Sequence, residues 1–269
     1  MLIVGESLNA SIPRVGKAVM ERDADAIVGL ARRQAECGAQ MLDLNAAVTD
    51  RDETEDLAWM VRTVQSAVDL PLMLDSSNPA ALRAALEVHE GSPPVLSSVT
   101  NETGSVEGLL PLALERGCAL VALCMDDDKI SPEPQVRFDI ATKLIDRITG
   151  AGLPAERLFI DPMVMTIGTD TDSGLALLHL IRMLRESHPS IRTLCGASNV
   201  SFGMPERKLL NRTFVSMLAA AGMEGFLVNV RDRRMMATLR AAAVLVGKDK
   251  WCRNYIRAHR SGELEAPVE

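Results

Sequence analysis

Carboxylates and carboxamides close a series of short apolar runs in this sequence, and their types and spacing are what could do chemistry. Glu6 and Asn9 follow Leu2 to Gly5, and Asp43 and Asn45 end Met-Leu-Asp-Leu-Asn. Asp75 closes the run that begins at Leu72. Ser97, Ser98 and Asn101 end the run from Val95, Asp161 stands in Phe-Ile-Asp-Pro, and Ser198 and Asn199 stand in Gly-Ala-Ser-Asn-Val-Ser. A carboxylate set in an apolar run needs a donor partner to offset its desolvation. Asp75 and Asp161 read as functional on that ground, whereas Asn78, Asp126 and Asp170 read as helix caps and turn formers. An Asp accepts two parallel N–H bonds from an amidine-like edge, and an Asn offers a donor and an acceptor without titrating. The set therefore suits hydrogen bonding to a neutral heterocycle or a sugar.

Other chemistries lack their residues. His89, His179, His188 and His259 all fall in helical patterns or beside their ends. A histidine-based triad and a His-rich metal site are disfavoured, and no metal is expected. The cysteines have no zinc-ligand spacing. No lysine ends a strand-like run, which disfavours a Schiff-base mechanism. A P-loop and a G-x-G-x-x-G turn are both absent.

These residues must be positioned by a repeating scaffold. Strand-like runs begin at Leu2, Met41, Leu72, Val95, Leu120, Leu158, Thr193 and Phe226. The fifth extends to Met125, the seventh to Asn199 and the eighth to Val230. Helical patterns lie between them, as at Asp25 to Cys37 (closed by Gly38), Ala80 to Val88, Val136 to Thr149 and Leu209 to Ala221. Eight such units of roughly 30 residues match the size of a β/α barrel. Strand–helix alternation implies parallel strands, whose C-terminal ends carry the active site. We expect an α/β fold with one closed (β/α)8 barrel over residues 1–269, with a terminal helix and a frayed end after Trp251. The chain of 269 residues is 24% charged with a formal net charge of -7, so it has no general attraction to nucleic acid. Five scattered cysteines read as reduced thiols in a cytoplasmic protein. No apolar run approaches membrane-spanning length.

Taken in order, Gly5-Glu6-Ser7-Leu8-Asn9, Leu42-Asp43-Leu44-Asn45, Leu74-Asp75-Ser76, Ile160-Asp161-Pro162 and Gly196-Ala197-Ser198-Asn199-Val200-Ser201, followed by Arg207, resemble the pterin-binding barrels. Within these, the sequence is similar to the methyltetrahydrofolate:corrinoid-protein methyltransferases along almost the whole chain. The resemblance implies a homodimeric barrel of the dihydropteroate synthase-like type. It would bind tetrahydrofolate or 5-methyltetrahydrofolate and move a methyl group between folate N5 and the cobalt of a cobalamin. The cobalamin would ride on a separate corrinoid protein, and no D-x-H-x-x-G segment for holding it occurs here. By the same resemblance Asp75 and Asp161 bind the pterin edge, and Asn199 contacts N5 as the catalytic group. Ser97 stands where some members place a pterin-contacting Asn. Glu6, Asn9, Asp43 and Asn45 complete the expected substrate-binding set, with Arg207 near the folate tail. Ser201-Phe202-Gly203 points to the branch that runs from methyl-corrinoid to tetrahydrofolate.

Two alternatives stand beside this. A dihydropteroate synthase would carry Ser-Arg-Lys after the seventh strand, where this chain has Ser198-Asn199-Val200. A non-catalytic pterin-binding protein would have no evident use for Asn199. A dimer face is expected in the apolar last third, including Met235, Met236 and Leu239.

Overall fold

The computed structural model describes residues 1–127 and 130–264. Eight strands form one closed barrel in sequential order, every neighbouring pair parallel. They are β1 (Leu2–Asn9), β2 (Met41–Asn45), β3 (Leu72–Asp75), β4 (Val95–Val99), β5 (Ala119–Leu123), β6 (Leu158–Asp161), β7 (Arg192–Gly196) and β8 (Gly225–Val228). Around them run α1 (Pro13–Glu21), α2 (Ala24–Glu36), α3 (Glu53–Gln65), α4 (Pro79–Val88), α5 (Ser105–Arg116), α6 (Pro134–Gly150), α7 (Ser173–Ser187), α8 (Arg207–Ala221), α9 (Arg233–Leu245) and α10 (Arg253–Arg260). The expected closed barrel is the fold observed. The frayed end predicted after the last helix falls partly outside the described residues.

Apolar side chains fill two separate spaces, as strand alternation requires. One residue set faces outward and packs beneath the helices, with Leu42, Leu44, Leu74, Leu96 and Ile160 fully buried there. The other fills the barrel axis: Val4, Met41, Met73, Val95, Val121, Phe159 and Leu194. At the lower end Arg192 crosses the Phe159 ring at 4.2 Å, a cation–π contact that closes the floor.

Four strand ends differ from the sequence expectation. β1 runs on to Asn9, and a helix, α1, follows it where none was predicted. β7 stops at Gly196, and Ala197–Ser201 turns as a 3-10 helix rather than continuing the strand. β5 and β8 end earlier than expected, at Leu123 and Val228. The largest correction concerns the dimer face. Met235, Met236 and Leu239 are all buried in this chain's own core, at 6%, 3% and 0% exposure, so they offer no surface to a second copy.

Candidate active site

The polar residues of the barrel mouth follow from one step of strand alternation. Two positions beyond the axial residues Val4, Met41, Met73, Val95 and Phe159 stand Glu6, Asp43, Asp75, Ser97 and Asp161. The same side of each strand that builds the apolar plug therefore ends in a polar ring at the C-terminal face. Strand register sets the heights, pairing Asp75 with Ser97 and Leu123 with Asp161. Asn9 pairs with Asn45 at the rim.

Each carboxylate has a distinct environment. Asp75 accepts a 2.9 Å hydrogen bond from Asn45 Nδ2 on one oxygen, and Asp161 accepts one of 2.8 Å from the Met163 backbone N–H. The second oxygen of each has no hydrogen-bond partner among the described residues. Burial pushes the Asp161 carboxyl up to about 7, against which the Met163 bond works. Burial also raises Asp75, with Asn45 opposing and Glu53 adding to the rise. Asp43 is raised well above its ordinary range, by burial first and then by the neighbouring Asp75 and Glu6, and its Oδ1 is buried without a partner among the described residues. Burial takes Glu6 to about 7 despite the pull of Arg207. Four carboxyl groups thus share a poorly solvated mouth, an arrangement that favours a ligand bringing N–H donors.

Glu6 reaches this ring through a local irregularity. The β1–β2 register shifts between Gly5 and Leu8, and buried Gln34 of α2 accepts the Ser7 N–H at 3.0 Å. A Cβ on residue 5 would come within 2.5 Å of that same Gln34 oxygen, so a side chain there would push Gln34 off the Ser7 N–H. Nothing local in the sequence signals Gln34. Arg137 of α6 is equally hidden: fully buried, it donates to the Pro162 and Met163 carbonyls at 3.0 and 2.9 Å, just beyond Asp161.

The remaining expected residues divide by role. Asn199 lies exposed in the 3-10 turn after β7, and its side chain hydrogen-bonds to none of the described residues. It does not cap α8, whose N-cap is Glu206. Arg207 is tied to the same turn, donating to Ser201 Oγ at 3.1 Å and to the Ser198 carbonyl at 3.0 Å, with its guanidinium 5.4 Å from the Phe202 ring centroid. Asn45 braces Asp75 and its own loop, and Asn9 accepts the Ser11 N–H at 2.9 Å. Asn78 caps α4, as its sequence position predicts.

Beside the mouth lies a cleft of about 680 Å³ that shares Glu6 with it and is also lined by Ser198. Arg207, Lys208 and Arg212 line one side, and Arg231, Arg233 and Arg234 the other. Sequence reasoning listed no residue from the β8 end, although Asn229-Val230-Arg231-Asp232-Arg233-Arg234 stands there in plain view.

The chain is 35% identical over 271 residues to a methylcorrinoid:tetrahydrofolate methyltransferase of Eubacterium limosum, covering 100% of this chain and 99% of that protein. It is 31% identical over 242 residues to the methionine synthase of Mycobacterium tuberculosis, 85% of this chain but 20% of that longer enzyme. Among solved structures it resembles a Xanthomonas albilineans dihydropteroate synthase in complex with 7,8-dihydropteroate (TM-score 0.64, 19% identity, 93% of both chains). It also resembles the Yersinia pestis dihydropteroate synthase (TM-score 0.66, 16% identity, 91% of this chain and 93% of that one). These two likenesses show the fold, a dihydropteroate synthase-like barrel. Residues 5–229 match the profile of the pterin binding enzymes, and the chain belongs to that family.

Proposed function

We propose that this protein is a methyltransferase that moves a methyl group between a corrinoid carried by a separate protein and N5 of tetrahydrofolate, in the direction of folate methylation. The observation that carries this is the end-to-end 35% identity to an enzyme named for that reaction. The acidic, donor-seeking mouth is in keeping with it. Asp75 and Asp161 each keep one oxygen available for the N–H groups of the pterin edge, once ionised. Ser97 neighbours Asp75 in register and completes that side. Asn45 and Arg207 position others: Asn45 holds Asp75, and Arg207 holds the turn that carries Asn199.

In transfer toward folate, the N5 lone pair forms the new N–CH3 bond while the carbon–cobalt bond breaks and leaves its electron pair on cobalt. The N5 proton is then shed. In reverse, N5 departs as an amine only if it receives a proton or a strong hydrogen bond. The Asn199 carboxamide serves both directions, accepting from N5–H or donating to N5 without a shifted pKa. Its contact is worth most if it tightens as the bond to N5 changes. We also infer a homodimer in a cytoplasmic setting. Leu175 and Met217, 66% and 41% exposed on α7 and α8, give such a contact apolar surface that Met235 and Leu239 do not.

Single-turnover transfer from a methylated corrinoid protein to tetrahydrofolate tests the assignment. Asn199→Ala is expected to leave folate affinity nearly unchanged and to slow transfer by roughly 10²–10³, the scale for losing one preorganised donor. Asn199→Asp should be slow as well at neutral pH. A full-rate Asp variant would remove the proposed role of the amide, and absence of any transfer by the unaltered protein would remove the function.

A further inference from the structure

We propose that the basic cleft beside the mouth binds the carboxylate tail of the folate and selects γ-linked oligoglutamate forms over the monoglutamate. This rests on the folate reading given above and extends it to the other end of the substrate.

Charge is distributed against the composition of the chain. The protein has a formal net charge of -7, yet six cationic side chains from the α8 and β8–α9 corners converge on one cleft. Among the described residues its lining holds two acidic groups. Asp232 is engaged by Arg212, which donates to both its oxygens at 2.9 Å. Glu6 belongs to the mouth and is largely protonated below neutral pH. Arg207 spends its hydrogen bonds on a hydroxyl and a carbonyl, and Arg233 donates to the Gly262 carbonyl at 3.0 Å, so neither charge is neutralised by those contacts. Arg231 is half-buried, its Nε is buried without a partner, and Arg14 and Arg33 lie close enough to repel it. Arg207, Lys208, Arg231 and Arg233 thus bring like charges to one cleft, which an anion bound there would offset.

The geometry points to which anion. Glu6 of the polar ring and Ser198, beside Asn199 in the turn after β7, both line the cleft, so a ligand leaving the mouth enters the cleft directly. Tetrahydrofolate is two-ended: an N–H-rich head suited to carboxylates, and a tail of carboxylates suited to guanidinium groups, which bind them with paired N–H bonds. A monoglutamate offers two carboxylates, and each further γ-linked glutamate adds one. The extent of the cationic lining suits the longer tail.

The test measures binding to the full chain of 6-methyltetrahydropterin, which has no tail, and of tetrahydrofolate with one and with three glutamates. Wild type is expected to bind the triglutamate about tenfold or more tighter than the monoglutamate, with the preference shrinking as salt is raised. In a Lys208→Gln/Arg233→Gln variant, where both residues are exposed, and separately in Arg231→Gln, the preference should fall below threefold while the tail-less pterin binds as before. Equal affinity of wild type for the two folates overturns the proposal, and so does a preference that survives both variants. Failure of wild type to bind even the tail-less pterin overturns the folate assignment itself, a result distinct from either.

Discussion

Two layers of the same barrel, one step of alternation apart, have opposite energetics. The axial layer of Val4, Met41, Met73, Val95, Val121, Phe159 and Leu194 excludes water with apolar side chains alone. The layer above it buries Asp43 at 4% exposure and surrounds Asp75 and Asp161 closely enough to raise all three carboxyl groups. The lower layer stabilises the fold in the absence of ligand. The upper layer holds polar groups in an environment that disfavours their charged form, and so is completed by what binds there. Strand geometry makes both from one pattern, and only the residue type at the last inward position differs.

The largest expected effect separates the layers by stability. Phe159→Ala should destabilise the protein by about 3–5 kcal/mol in denaturant unfolding, through lost burial and a residual cavity. Asp161→Asn, two residues on, should act in the opposite sense at high pH. A carboxyl raised to about 7 in the folded protein, above its unfolded value, stabilises fully below the unfolded pKa and loses that contribution as pH rises through 7. Unfolding of the ligand-free wild type should therefore show a loss of up to about 4 kcal/mol between pH 4 and pH 8 from this group, which the Asn variant lacks. A variant with the wild-type pH profile would erase the contrast between the layers.

Smaller effects sharpen it. An ionised Asp161 is needed to accept pterin N–H bonds, so folate affinity should rise about tenfold from pH 6 to pH 8 and flatten in Asp161→Asn. Titration calorimetry at the two pH values measures this directly. Asn45→Ala should weaken folate binding by about 1 kcal/mol, by releasing the brace on Asp75. No change would show that Asp75 is held by the strand alone.

The barrel and its polar ring were legible in the sequence because both are local. Alternation over four or five residues identifies a strand and its inward side, and the mouth residues lie at the strand ends. What escaped depends on distant chain segments. Gln34 lies 27 residues from the Ser7 N–H that it accepts, and Arg137 lies 25 from Pro162. α1 escaped for a different reason: its N-cap is Ile12, which offers no capping side chain, and Pro13 is its main start signal. In β7 the residues from Ala197 to Asn199 read as continued strand, but the chain turns there to carry Asn199 and Ser201 into the corner. The apolar spacing of Met235, Met236 and Leu239 marks a buried helix face correctly. Spacing alone does not say whether the same chain or a second copy covers it.

Arg137 gives the mouth a property of timing. Its guanidinium fixes the carbonyls of Pro162 and Met163, and with them a corner in which Met163 holds a φ of 63°. The backbone entropy of that corner is lost during folding, before any ligand arrives. Capture of the pterin head beside Asp161 then orders little additional chain, and the free energy of its hydrogen bonds goes into residence time instead.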